Sequence, residues 1–507
     1  MKNKFLIAST LLFSITMKVS AESYKDPAPI IKPTIANGNS VLVDNTHGQT
    51  AGAADWVING AFSDFANGLA DEGYVVKELR KNSAISYEDL SKHDVFVIPE
   101  ANIPYKETEQ NAIIRYVKEG GSVFYIADHY NADRNLNRID SSEAFNGFRR
   151  GAFTDFTKGM SQGEKSSERM SGVKSSDWLS DNFGVRFRYN ALNNVTANDI
   201  VQGSESLGIT IGVDRVAMHA GSTITLTNPQ IAKGLVYLPG NLTSTDKWGP
   251  SVDQGVYFGG GREEGAYVAV SKLGLGKAAF IGDSSMVEDA TPKYKREDNG
   301  LTKKTYDGYK EQNDAVLLNN LVNWLAKDES YTTFNELGIK LDPKSPTHSF
   351  EEPELSTEPQ SEPWKIPSSS YKWYDESTFN VGSYGYNGSI EVPPVDSSQL
   401  IDFIMNDITN GQQFSVTLII NGLTPNTTYQ NYKVGIYNEA GTQLGTFNIG
   451  GSWNSYGYSN VFSLTSDSTG TAKITFNAKT KPGITGAANI RLKQGTTNKY
   501  TETITIK

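Results

Sequence analysis

Along the first 130 residues, apolar and polar positions follow two alternating periods. Short apolar runs with strand character occur at 39–43, 74–79, 93–98 and 122–126. Between the first two, Trp56, Val57, Ala61, Phe65 and Leu69 recur at helical spacing and predict a helix over 53–72 that stops at Gly73. A second helix is expected over 106–118, closed by Gly120 and Gly121. Strands alternating with helices of this length predict an α/β domain on a doubly wound parallel sheet, here spanning 39–341 behind an N-terminal extension at 22–38.

That rhythm breaks after residue 126. A β-rich insertion is expected over about 131–254, after which 266–270 and 278–281 read as an antiparallel pair around Leu273-Gly274-Leu275-Gly276. Residues 315–326, AVLLNNLVNWLA, read as an amphipathic closing helix. The stretch 342–369 is rich in Pro, Ser and Glu, which predicts an extended linker with no role for its His348. Beyond it, short alternating runs at 414–420, 432–437 and 472–477 predict an antiparallel β-sandwich of about seven strands over 370–507. Within it, GLTPNTTY at 422–429 resembles the corner of fibronectin type III-like domains that a tyrosine ties down.

Composition fixes the compartment. Lys2 and Lys4 precede the apolar run 5–17, and Val19-Ser20-Ala21 offers small residues for cleavage, so residues 1–21 read as a secretory signal peptide. The mature chain is then secreted and extracellular, and no second long apolar run predicts a membrane span. The absence of cysteine among 507 residues excludes disulfides, zinc–cysteine sites and a thiol nucleophile. Net charge is −10, or −13 once Lys2, Lys4 and Lys18 leave with the leader, so polyanions are repelled at long range. Nucleic acid would require a local basic patch or bridging divalent cations.

Candidate chemistry concentrates at strand ends. The segment 127–150, ADHYNADRNLNRIDSSEAFNGFRR, follows the 122–126 strand and carries Asp128, His129 and Asp133 with Arg134, Arg138, Arg149 and Arg150. Ligands bind beyond the carboxyl ends of strands in such sheets, where Asp44 with His47, Glu100, and Asp283 with Ser284 and Ser285 would also emerge. Asp44, Asp128, Asp133 and Asp283 would suit a divalent ion such as Mg, Mn, Ca or Zn, with His129, His47 and Asp128 as catalytic groups and the four arginines on phosphate. The plainer alternative is that Asp44 and Asp283 cap the loops after their strands. Ser284 with His47 or His129 as base is a lesser option, because GDSSM lacks the G-x-S-x-G elbow. Residues 283–310 interleave Lys293, Lys295, Arg296, Lys303 and Lys304 with Tyr294, Tyr306 and Tyr309, either a strip that stacks bases or a solvated loop. Trp453, Tyr456 and Tyr458 cluster in a Gly/Ser/Asn-rich loop, which fits sugar stacking or ordinary strand packing.

The runs NSVLVDNTHG, DVFVIPEAN, GGSVFYIADHYN and GKAAFIGDSS together resemble the class I glutamine amidotransferase-like superfamily, over roughly 39–326. The resemblance implies a flavodoxin-like, amidotransferase-like sheet, in a branch that lacks the cysteine nucleophile and hence glutamine hydrolysis. DHYNADRN, FNGFRRG and GDSSMVEDATPKY are loosely similar to secreted bacterial nucleases and DNA-binding proteins. The leading expectation is therefore a secreted metal-dependent hydrolase of phosphodiesters acting on nucleic acid. The alternatives are a polysaccharide-directed hydrolase with a glycan-binding β-sandwich, and a noncatalytic extracellular binding protein.

Overall fold

A computed structural model describes residues 22–387, 401–405, 407–438, 441–495 and 497–507, so the expected signal peptide lies outside the described residues. The chain divides into two compact units, broadly before and after residue 389.

The first unit is built on one large mixed sheet. Its longer strands are β1 (Ser40–Asp44), β2 (Val75–Leu79), β3 (Val95–Ile98), β4 (Ser122–Ile126), β5 (Val185–Phe187), β6 (Ile224–Leu226), β7 (Ala232–Tyr237), β8 (Ala266–Leu273) and β9 (Gly276–Ile281), with two-residue strands at Ile30–Ile31 and Asp199–Ile200 beside β2 and β7. Five of them are parallel in the order β2-β1-β3-β4-β9. Helices α1 (Ser63–Asp71), α2 (Glu107–Lys118), α3 (Trp178–Phe183) and α4 (Asp314–Ala326) cover both faces. Side chains alternate across the strands: Val41, Val43, Val97 and Phe124 pack with α1 and α4, whereas Leu42, Phe96, Val123 and Tyr125 pack with α2 and α3. Near-continuous apolar strands are what burial on both faces requires.

Beyond β9 the sheet becomes antiparallel. β8 runs antiparallel to β9, as its Gly-rich turn predicted, and β6 and β7 pair antiparallel to β8. The expected insertion is therefore no separate appendage, because β5, β6 and β7 extend the same sheet. The helix expected over 53–72 begins only at Ser63. Ahead of it Trp56, Val57 and Ile58 are buried in turns, held where Asp55 Oδ2 accepts the Lys293 and Tyr294 amides at 2.7 and 2.9 Å.

The segment read as a linker packs against the first unit, and the boundary expected at residue 370 moves some twenty residues later. Its acidic residues meet arginines of the insertion: Glu351 pairs with Arg188 at 3.2 Å and Glu362 with Arg149 at 2.5 Å. His348 stacks on Phe258 and Phe350, and Tyr371 and Trp373 enter the core on the α2 face. Composition predicted extension because it counts few apolar residues, but these few are large and the acidic ones find buried cations.

The second unit consists of two antiparallel sheets. One contains β10 (Ile401–Met405), β11 (Gln413–Ile420), β13 (Gly445–Ile449) and β15 (Ala472–Thr480), and the other β12 (Thr428–Tyr437), β14 (Phe462–Thr465), β16 (Gly486–Gln494) and β17 (Thr497–Ile506). Val416, Leu418 and Phe476 of one share a core with Val434, Ile490 and Leu492 of the other. The Tyr429 hydroxyl accepts the Thr424 amide at 3.0 Å, the tie expected of that corner.

Candidate functional site

The carboxyl ends of β1, β2, β3, β4 and β9 form one edge, and three groupings of chemistry occur there. The first surrounds β1. The loop after it folds back so that Asp44 Oδ2 lies 2.9 Å from His47 Nδ1, while His47 Nε2 lies 3.4 Å from Glu109 Oε2. Carboxylates only accept, so both ring nitrogens carry protons. Burial works against that charge, but Glu109 and Asp44 outweigh it and push His47 up to about 9. The ring also stacks on Tyr105 at 4.0 Å. His47 is thus a fixed imidazolium near neutral pH, which corrects its expected use as a base.

The second grouping joins β3, β4 and β9. Arg134 donates from Nε to Glu100 at 3.2 Å and from Nη2 to Asp128 at 2.5 Å, and Ser284 Oγ donates to Asp128 at 3.1 Å. Burial raises Glu100 well above the usual range; Arg134 opposes this and the nearby Asp128 adds to it. Burial, with Asp128 beside it, likewise raises Asp283 to about 8. Glu100, Asp283 and Ser284 are fully enclosed and Asp128 is only 2% exposed, so this cluster ties strand ends together and offers little access to a polymer. His129 Nδ1 donates to the Tyr130 carbonyl at 2.9 Å, its ring packs on Trp248 at 3.9 Å, and Nε2 stands 3.7 Å from Asp128. Burial lowers its pKa, leaving a neutral imidazole.

The four expected metal ligands do not form one shell. Asp44 belongs to the His47 grouping, with Oδ1 accepting the Thr46 amide at 3.0 Å. Asp133 spends both oxygens on backbone amides of Asn137, Arg138 and Trp364, and Asp283 accepts the amides of His219 and Ser285. Among the described residues no group of three or more His, Cys, Asp or Glu is arranged to hold an ion. Asp44, Asp128, Asp133 and Asp283, as arranged here, do not fit a single divalent ion.

All four expected phosphate arginines have internal partners, Arg134 in Glu100 and Asp128. Arg138 pairs with Glu164 at 2.8 Å, Arg149 with Glu362 and Arg150 with Asp253 at 2.9 Å. The polar density of 127–150 has a backbone cause. Asn131, Asp133, Leu136 and Arg138 all have positive φ, which non-glycine residues adopt only when held. Asp140 holds the first two by accepting their amides at 2.7 and 2.6 Å. Three cations of the basic strip after β9 are consumed likewise: Lys293 pairs with Glu22, Arg296 with Asp298, and Lys303 is buried against backbone carbonyls of Thr50 and Ala54, whereas Lys295 and Lys304 are exposed. Tyr306 alone among its tyrosines is well exposed, over the ring of His219.

The third grouping is a cavity of about 270 Å³ where the parallel strand order reverses between β1 and β3, the position at which open α/β sheets bind ligands. Thr46 and His47 line it after β1, Lys81 to Ala84 after β2, Ile103, Pro104, Lys106 and Glu109 before and within α2, and Glu168 and Arg169 from the insertion. Tyr24, Tyr374, Asp375, Glu376 and Asn387 complete the wall. Each cation has a carboxylate: Lys81 with Asp89 at 2.5 Å, Lys106 with Glu168 at 2.9 Å, and Arg169 with Glu376 at 3.2 Å. Burial pulls Glu109 upward, but His47 and the amides of Ile85 and Lys106 outweigh it and hold it below the ordinary carboxylate range. Burial raises Glu376, which Arg169 only partly offsets.

Sequence reasoning found His47 here and missed the rest. Glu109 carried a signal, three residues after Lys106 at a helix start, where its Oε2 accepts the Lys106 amide at 2.9 Å. Tyr374 and Glu376 carried none, lying just beyond a segment read as linker.

No family model matches this chain, and no curated protein does. Among solved structures, it is similar to an IFT52 N-terminal domain at 11% identity, over 58% of this chain and 100% of that one, with a TM-score of 0.35. A ThuA-like protein from Parabacteroides merdae matches at 12% identity over 57% of this chain and 90% of that one, with a TM-score of 0.30. The ZirS C-terminal domain matches at 15% identity over 34% of this chain and 96% of that one, with a TM-score of 0.14. Overlap at these TM-scores carries no functional argument.

Proposed function

We propose that this chain is a secreted polysaccharide-directed hydrolase whose α/β unit takes a glycosyl residue in the cavity beside His47. The observation that carries the reading is the balance of charge in that cavity: Lys81, Lys106 and Arg169 are each neutralised by a carboxylate. A phosphodiester needs uncompensated cations, whereas a neutral polyol needs donors and acceptors of both kinds with an aromatic face. Asn82, Ser83 and Asn387 supply the former, and Tyr24 and Tyr374 the latter. The volume lies near the lower end of the roughly 300–1,000 Å³ of ordinary small-molecule sites.

Two carboxyl groups with pKa values driven apart are the recurring equipment of glycoside hydrolysis. Glu376, raised by burial, would protonate the leaving glycosidic oxygen from its acid form, which grows as pH falls and in which the pairing with Arg169 is given up. Glu109, kept ionised by the His47 imidazolium, would stabilise positive charge developing at the anomeric carbon and accept the proton released by the water that adds there. The parallel order β2-β1-β3-β4-β9 is that of flavodoxin-like sheets and supports the amidotransferase-like kinship read from sequence. The Tyr429 tie supports a fibronectin III-like second unit.

Calorimetric titration of the full chain with neutral oligosaccharides and with a DNA oligonucleotide tests the cavity. The expected result is binding of at least one saccharide series, weakened about tenfold or more by Tyr374→Ala. Binding of the oligonucleotide with no saccharide bound would overturn the reading and favour the phosphodiesterase.

A further inference from the structure

The second unit carries a different recognition surface. Eight Lys or Arg against five Asp or Glu over 401–507 give it a net charge of +3, within a mature chain of −13. The loop 450–460 presents three aromatic rings, and each has an ammonium over it: Lys479 over Trp453 at 4.6 Å, Lys481 over Tyr456 at 5.6 Å and Lys493 over Tyr458 at 4.9 Å. Trp453 is 38% and Tyr456 44% exposed, high for large rings with core available to them. Among the described residues none of these three lysines has a carboxylate within ion-pair distance, unlike the cations that line the cavity of the first unit.

We infer that Trp453 and Tyr456 with Lys479 and Lys481 form a binding site for a sparsely charged acidic polysaccharide, such as a uronate polymer. An ammonium covers one face of Trp453 and of Tyr456; the exposed remainder of each ring, partially negative on its face, attracts the polarised C–H face of a pyranose, whose carboxylate meets the ammonium across the ring edge. Charge density decides against nucleic acid as occupant. Residues 22–400 carry −16, and their long-range repulsion grows with the charge density of the polyanion. A polymer with one carboxylate per sugar or per few sugars is repelled less than DNA, with one charge for every ~1.7 Å of duplex axis. This inference stands on residues separate from the cavity and does not depend on its reading.

The test is retention of the full chain on immobilised polygalacturonate, on a neutral glucan and on single-stranded DNA, across a salt series. Salt-sensitive retention on polygalacturonate is expected. It should weaken about tenfold or more in Trp453→Ala/Tyr456→Ala and in Lys479→Gln/Lys481→Gln, with thermal unfolding unchanged. Tyr374→Ala should leave it intact, which separates this site from the cavity. No retention, retention indifferent to both double variants, or tighter retention on DNA would each overturn the inference.

Discussion

At the scale of single residues, the carboxyl edge of the sheet is dominated by groups whose protonation burial controls. His47 is pushed up to about 9 by Glu109 and Asp44 against the cost of its burial. A group raised above its unfolded value of about 6.5 stabilises the fold fully below that value and ceases to do so as pH climbs through the folded one. Asp283, Asp140 and Asp314 are each raised to about 8 by burial, so their contribution also falls as pH rises from about 4 to 8. Glu109, held low, acts in the opposite sense and is lost only on acidification. The melting temperature should therefore peak near about pH 5 and decline through pH 9. His47→Gln should remove the portion between about pH 6.5 and 9, on the order of 3 kcal/mol, and Asp283→Asn should flatten the portion from 4 to 8. Thermal melts across pH check both; a profile rising toward pH 9 would contradict the assignments.

At the scale of elements, the acidic segment after α4 acts as a strap. Arg149 donates to Glu362 and to the Phe156 carbonyl, and its side chain is 1% exposed. Removing one partner of such a pair leaves a buried charge, so Arg149→Ala should cost about 3–5 kcal/mol in denaturant unfolding. Amides over 349–373 should also exchange slowly, at rates of folded structure; fast exchange there would restore the linker. The parallel strands and the β8–β9 hairpin were legible in sequence, because burial on both faces writes apolar runs and a Gly-rich turn marks a reversal. The strap was illegible for the opposite reason, since its anchoring depends on partners more than 150 residues away. The same distance hid Glu376, whose neighbours in the cavity come from six other stretches of chain. Asp133 was misleading because a loop rich in left-handed residues needs the same carboxylates that a metal site would.

At the scale of the whole molecule, charge is segregated: an acidic α/β unit with internally paired cations, and a basic β unit with lysines over exposed rings. The paired cations of the first unit suit a neutral ligand, as proposed for its cavity, and the lysines of the second suit an acidic one, as inferred for its loop. No helix among the described residues is long and apolar enough to cross a membrane. The most direct measurement is release of reducing ends from a panel of polysaccharides by the wild-type protein and by Glu376→Gln. Release from at least one polysaccharide, falling about a hundredfold or more in the variant as expected for loss of a proton donor, is the predicted result. No release from any polysaccharide, or cleavage of a phosphodiester unaffected by Glu376→Gln, would contradict it.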